Sequence, residues 1–203
     1  MLNQLLQIRE EILYNRFSTM GRPFLEYFQM SIIPPWPDYD EDEVITFEVT
    51  SAAVVVVFNF EGEQWILLTQ QADRDGNPWE LPSGKVDREL DKSPEDTARR
   101  ELIEETGFDV DKLTPLTYGW RVGDKKGGLQ YFSVVNAGSL NIASREEERI
   151  YLAIPDEVDK NEISGLCLEK LNLKGTSLLH SSGHPWAYKR TFGALEQKLA
   201  MES

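Results

Sequence analysis

The stretch Trp79–Phe108, WELPSGKVDRELDKSPEDTARRELIEETGF, sets a glycine-bearing loop ahead of a charged run and closes that run with a second glycine. Its second half carries the local signals of a helix. Ser93 suits the N-cap, Pro94 the first helical position, and Glu95 and Asp96 the positive end of the helix dipole. Gly107 suits the C-terminal stop. The helix is therefore predicted from about Pro94 to Thr106. Along it Glu101, Glu104 and Glu105 stand at i, i+3 and i+4, which puts three carboxylates on one face. Ala98, Leu102 and Ile103 fall on other faces and can pack inward.

Like charges at that spacing repel by a few tenths of a kcal/mol per pair on an isolated helix. A solvated charged face is the plain explanation of a bare ExxEE pattern, although such faces more usually alternate acids with bases. Hard cations make the cluster favourable, because magnesium takes oxygen ligands and shares its remaining positions with water and substrate phosphates. Arg100, directly before the acids, can hold a carboxylate in a bidentate pair and fix its rotamer. The glycine loop lets backbone carbonyls come close to a metal.

Outside this stretch the chain divides in two. Residues 1–43 carry apolar side chains at near-helical spacing (Leu5, Leu6, Ile8, Ile12, Leu13, Phe17), then a short amphipathic piece, PFLEYFQM, then the proline-rich connector IIPPWPDYDEDE. This segment reads as a helical extension, whether a dimer arm, a lid or a helix packed on the domain. A homodimer is one of those options. Residues 44–203 form the main domain. VTSAAVVVVFNF has the continuous apolar character of a strand covered on both faces, and QWILLTQQ returns after the turn EGE. LTPLTYGWRV and LQYFSVVN read as strands joined by GDKKGG, SREEERIYLAI is ambiguous between helix and strand, and GLCLEKL reads as a short strand. PWAYKRTFGALEQKLA reads as a C-terminal helix with Pro185 in its first turn. Mixed strands with helices outside them point to an α/β (α+β) sandwich.

The bulk properties narrow the function. The 203 residues are 40% hydrophobic and 28% charged, as in soluble globular proteins. A formal charge of −14 argues against general affinity for DNA, RNA or an anionic membrane. It leaves room for a small phosphorylated ligand, because bound cations reverse the local field. Cys167 is the single cysteine, so no intrachain disulfide forms, and its apolar surroundings in GLCLEKL suggest a buried structural thiol. With no apolar run near membrane-spanning length and no signal-peptide core, a cytoplasmic setting is expected.

GKVD…RELIEETGF resembles the signature box of the Nudix hydrolases, a glycine loop followed by an REUxEExGU helix in which U is a bulky apolar residue. WELPSG resembles the approach strand of their nucleotide-sugar and ADP-ribose pyrophosphatase members. The box covers about residues 84–108, and similarity at the level of the domain extends from Val44 to about Leu173. The resemblance implies an α/β/α sandwich with a mixed central sheet, and metal-dependent attack of water on a diphosphate linked to another group. Glu101, Glu104 and Glu105 would then bind Mg2+ or Mn2+, Arg100 would orient a glutamate, and the carbonyl of Ser83 or Gly84 would complete the shell. The first half of the box departs from the family pattern. The spacing from Gly84 to Arg100 is two residues longer than usual, and Lys92 stands where an acid is expected. Glu89 and Asp91 are the two candidates to replace it.

Family members often add a base or ligand from a later loop. DEVDKNEISG resembles that region, with Glu162 the first candidate and Asp156, Glu157 and Asp159 competing. An acidic surface loop in so acidic a chain is the bland alternative. For the substrate, Trp79, Trp120 and Arg121 are candidate contacts among aromatics that more often serve packing. VGDKK lacks the proline that ADP-ribose-specific members often carry in that neighbourhood, and the tyrosine of dinucleoside polyphosphate members is not evident. The expected partner is a small phosphorylated nucleotide derivative of open class. A nucleotide-binding regulator with reduced catalysis is the rival reading. His180 and His184 read as ordinary surface or packing residues, because Gly183 and Pro185 argue against a helix across both.

Overall fold

A computed structural model describes residues 29–32, 45–72, 79–121, 126–171 and 185–202. Ten strands and two helices lie among them: β1 (Gln29–Ile32), β2 (Ile45–Phe60), β3 (Glu63–Gln71), β4 (Trp79–Glu80), β5 (Ser83–Lys85), α1 (Pro94–Thr106), β6 (Thr114–Arg121), β7 (Lys126–Asn136), β8 (Ile142–Arg145), β9 (Arg149–Leu152), β10 (Ile163–Lys170) and α2 (Pro185–Glu202). The strands form one mixed sheet in the order β6-β7-β2-β3-β10-β9-β8, with β1 and β5 added to β2 and β4 added to β3. β2 and β7 run parallel, and the other pairs are antiparallel.

The apolar run in β2 explains the layering. Val54, Val56 and Phe58 pack with Trp65, Leu67, Ala98 and Leu102, so that face of the sheet is covered by α1. Val55 and Val57 point the other way and pack with Ile66, Leu68, Cys167, Phe192 and Leu195, beneath α2. Alternation along a strand with both faces covered produces a continuous apolar sequence. The result is the α/β/α sandwich expected from the sequence, and Cys167 is the buried thiol foreseen. Burial pushes its pKa up to about 12, which leaves it unreactive.

One stretch differs from its sequence reading and an ambiguous one is resolved as strand. The last residues of PFLEYFQM and the start of the connector form β1, paired antiparallel with Ile45–Glu48, so the sheet draws a strand from the segment assigned to the extension. A piece this short has too few residues for its period to separate helix from strand, and pairing with β2 decides. The ambiguous SREEERIYLAI is a hairpin, β8 and β9, closed by the Glu146 N–H donating to the Arg149 carbonyl at 2.8 Å. The helical pattern of residues 3–20 and the two histidines lie outside the described residues. No described helix is long and apolar enough to cross a membrane.

Candidate metal and diphosphate site

α1 is built by its own local sequence. The Ser93 hydroxyl accepts from the Asp96 N–H at 3.2 Å, Pro94 opens the helix, and Gly107 closes it at φ 71° with its N–H on the Ile103 carbonyl at 2.8 Å. A side chain at 107 would also press on Pro155, with a Cβ 2.8 Å from its Cγ. Ala98 and Leu102 are fully buried against the sheet, and the Phe108 ring meets Phe58 edge-on at 5.5 Å. Fixed on that side, the helix turns Arg100, Glu101, Glu104 and Glu105 toward the loop and the strand ends.

The longer loop supplies the missing acid from Asp91. Arg100 Nε and Nη2 donate to its two oxygens at 3.0 and 2.9 Å, a bidentate fork. The same carboxylate accepts from the Asp87 N–H and the Thr97 hydroxyl, both at 2.8 Å, and Asp91 is only 2% exposed. Burial works to raise its pKa, but the Arg100 hydrogen bonds and these two further donors outweigh it and hold the group below the usual carboxylate range. Glu89, the other candidate, is exposed. Lys92 contributes its N–H to Asp96 at 3.0 Å.

Arg100 then has one nitrogen left for the helix glutamates. Nη1 donates to Glu101 Oε1 at 2.8 Å and to Glu104 Oε2 at 2.9 Å, while Nη2 also reaches the Lys85 carbonyl at 3.0 Å. The arginine thus ties the loop, the first strand of the box and two of the three glutamates into one unit. Its own pKa is raised, chiefly by the hydrogen bonds to Asp91.

Glu101 and Glu105, one turn apart, flank the Ser83–Gly84 segment. A Cβ built on Gly84 would fall inside the Glu101 carboxylate, so the glycine is needed for close approach. Glu105 Oε2 accepts from the Ser83 N–H at 3.1 Å and the Thr69 hydroxyl at 3.4 Å, and Oε1 accepts from Gln71 Nε2 at 2.9 Å. Burial is the largest influence on both glutamates and raises both, Glu105 to about 7. Glu104 is 56% exposed.

The strand register separates the two candidate carbonyls. Val54 N–H bonds the Pro82 carbonyl and Val86 N–H the Thr50 carbonyl, and Gly84 faces Ala52 midway between them. Hydrogen-bonded positions recur at every second residue of an antiparallel ladder, so the Gly84 carbonyl is directed into the sheet. Ser83 occupies the alternate position, where N–H and C=O turn outward together, and its N–H meets Glu105. Ser83 therefore offers its carbonyl on the helix side, and Gly84 offers space.

Among the described residues no three His, Cys, Asp or Glu side chains close around a single point. Glu101 and Glu104 share Arg100 Nη1, while Glu105 takes the β3 side chains and the Ser83 N–H.

Thr69 and Gln71 were not singled out from sequence. Both are buried, in a strand whose preceding residues Trp65–Leu68 are all apolar. The signal was present as TQQ, a polar ending to a buried strand that has no reason to be polar unless it meets a buried partner. The partner sits across the fold and is not visible from β3 alone.

Glu162 lies at the same end of β3. Its carbonyl accepts from the Ala72 N–H at 2.7 Å and the next residue, Ile163, pairs with Gln71. Its side chain is exposed. Of its competitors, Asp159 is committed to shaping the turn through the Asn161 N–H and Nδ2, both at 2.8 Å, and Asp156 pairs with Lys160 at 3.1 Å. Trp79 stands apart from the glutamates. It pairs with Gln70, on the face opposite to Thr69, and packs against Tyr151 with ring centroids 6.2 Å apart. Trp120 and Arg121 end β6 opposite Gly127 and Lys126, and their side chains lie outside the described residues.

The family model described as NUDIX domain matches residues 48–170. The chain is similar to an RNA pyrophosphohydrolase of Bartonella tribocorum (strain CIP 105476 / IBS 506), 44% identical over 71 residues, and to one of Bartonella quintana (strain Toulouse), 42% identical over 71 residues. Each of these matches spans 32% of this chain and 40% of the relative's length. Among solved structures it is similar to the NUDIX domain of Shewanella oneidensis NrtR complexed with ADP ribose, with TM-score 0.52 and 15% identity, covering 80% of this chain and 94% of that one. It is also similar to a C. elegans Ap4A hydrolase in a binary complex, with TM-score 0.50 and 17% identity, covering 74% and 96%. At such identities the likeness concerns the fold.

Proposed function

This chain belongs to the NUDIX domain family, and on that premise we propose that it is a divalent-metal-dependent pyrophosphohydrolase acting on a nucleoside diphosphate linked to a second group. The observation that carries this reading is the placement of Glu101 on Gly84 and Glu105 on the Ser83 N–H, two helix carboxylates astride one outward carbonyl. The donor set suits a hard cation. Glu101, Glu104, Glu105 and the Ser83 carbonyl all offer oxygen, as Mg2+ and Mn2+ prefer. Bound there, the ion would lower the pKa of water and neutralise charge on the phosphate oxygens.

The chain's own residues do the positioning. Arg100, locked by Asp91, keeps Glu101 and Glu104 in fixed rotamers. Glu162 is the proposed base, to take a proton from the attacking water, a reading supported by its backbone contact with Ala72 beside Gln71. Trp120 and Arg121 are the proposed substrate contacts from the end of β6, a ring to stack on a base and a guanidinium for phosphate. Trp79 is best read as packing with Tyr151.

The proposed substrates are small phosphorylated nucleotide derivatives: nucleotide sugars, ADP-ribose or dinucleotides. RNA with a terminal pyrophosphate enters because the Bartonella relatives carry that name, while the charge of −14 opposes extended contact with an RNA backbone. The rival reading, a nucleotide-binding regulator, drew on Lys92 and the longer loop. Asp91 takes up the arginine in place of the expected acid, which favours the enzyme.

The test is release of phosphate, pyrophosphate or mononucleotide from ADP-ribose, nucleotide sugars, dinucleotides, nucleoside triphosphates and RNA with a 5′-di- or triphosphate, with Mg2+ and with Mn2+. Turnover on at least one substrate, abolished by EDTA and by Glu105→Gln, is expected. Full metal-dependent turnover by Glu105→Gln would overturn the site assignment, and tight nucleotide binding without turnover would favour the regulator.

A further inference from the structure

We infer that Gln71 is a positioning residue, one that fixes how Glu105 is presented to a divalent cation; this rests on the metal-site reading above. A carboxylate offers about four acceptor positions. On Glu105, Oε2 takes two donors, the Ser83 N–H at 3.1 Å and the Thr69 hydroxyl at 3.4 Å. Gln71 Nε2 takes one position on Oε1 at 2.9 Å. Among the described residues, nothing takes the other position on Oε1. Glu105 is thereby set to bind through a single oxygen, and the amide that sets it is on β3, not on the helix.

The three donors are unequal. The Ser83 N–H comes from the backbone and is fixed by β5 pairing. The Thr69 contact is long. Gln71 makes the shortest bond, and its amide is held in turn by burial at the sheet end, where Ile163 of β10 is its cross-strand neighbour. An uncharged donor is also the type needed here. A lysine would compete with the cation for the carboxylate, and an acid would repel it. Removing the amide leaves the Glu105 carboxyl free to rotate toward Ser83 and Thr69, with its free lone pair no longer directed.

Presentation of Glu105 to a cation is read first as Mn2+ binding to the full chain by calorimetry, without substrate. Outer-shell partners of metal ligands typically change metal affinity by roughly 10- to 100-fold. Gln71→Met, which keeps the length and removes the donor, is expected to weaken Mn2+ binding by that amount. Gln71→Leu should weaken it similarly, and Thr69→Val less. In a Glu105→Gln background Gln71→Met should change Mn2+ affinity little, since the two act as one unit. On any substrate that turns over, Gln71→Met is expected to lower kcat with KM nearly unchanged.

Unchanged Mn2+ affinity in Gln71→Met, or the same loss with and without Glu105, overturns the inference. If Gln71→Met does not fold, Gln71→Leu and Thr69→Val decide on the same criterion. Wild-type protein that binds Mn2+ but hydrolyses nothing removes the proposed activity and leaves this inference standing. Wild-type protein that binds no Mn2+ removes both.

Discussion

The Glu101 carboxylate occupies the space that any side chain at position 84 would need, so helix and loop meet at a point only glycine allows. Gly84→Ala must therefore displace Glu101 from β5 and from Arg100 Nη1. The expected outcome is loss of metal-dependent turnover by about two orders of magnitude or more, as for a shift of about an ångström in a reacting group. Because the carboxylate is the movable partner, stability should fall by only about 1–2 kcal/mol. Kinetics and thermal unfolding of the same variant check both halves.

Asp91→Asn keeps the shape of the loop but withdraws the charge that Arg100 is paired with. Breaking a buried pair on one side costs about 3–5 kcal/mol where the remaining charge stays buried. Arg100 is still bound to Glu101, Glu104 and the Lys85 carbonyl, so a loss at or below the lower end of that range is expected. Glu89→Gln, in the same loop but exposed, should leave stability and activity near wild type. Denaturant unfolding of the two variants side by side distinguishes Asp91 from Glu89 as the replacing acid.

Glu105 gives the metal-free protein a pH dependence of definite sign. Its pKa in the folded chain is raised from the ordinary 4.5 to about 7, chiefly by burial. The folded state therefore binds a proton that the unfolded chain releases, and stability falls as pH rises through the interval between those values. The difference is on the order of 3 kcal/mol between pH 4.5 and 8. Glu101, also raised by burial, acts in the same direction. Thermal midpoints in EDTA should drop from pH 5.5 to 8, and Glu105→Gln should flatten much of that drop. Added Mn2+ should oppose it, with a larger stabilisation at pH 8 than at pH 6, since the metal binds the ionised form.

The three helix glutamates should not be equivalent. Glu101 and Glu105 are packed against β5 and β3, whereas Glu104 is 56% exposed and, among the described residues, held by Arg100. Glu101→Gln and Glu105→Gln are expected to reduce kcat by about 100-fold or more, and Glu104→Gln by about tenfold. Equal losses at all three positions in steady-state assays would contradict this ranking.

Glu162→Gln should leave Mn2+ affinity intact while lowering kcat by about 100-fold or more, the range of a general base. Calorimetry and kinetics on the same preparation separate that outcome from a change in metal binding.

Much of the helix and its chemistry was determined by the chain locally. Ser93, Pro94 and Gly107 set the ends of α1 through contacts within a few residues, and spacing alone put Glu101, Glu104 and Glu105 on one face. The continuous apolar run of β2 likewise announced a strand covered on both sides. These are short-range properties, governed by backbone sterics and helical or strand period. Tertiary structure alone chose Asp91 over Glu89, because that choice depends on which carboxylate of a folded loop reaches the Arg100 fork. The register of β5 on β2 also pairs Gly84 with Ala52 and leaves the Ser83 N–H to Glu105. Tertiary structure set Trp79 on the far face of the sheet from the glutamates. It brought Gln71 and Thr69 to Glu105 from more than thirty residues away in the chain. Contacts at that separation follow from how sheet and helix pack, and no period or local motif in the sequence encodes the pairing.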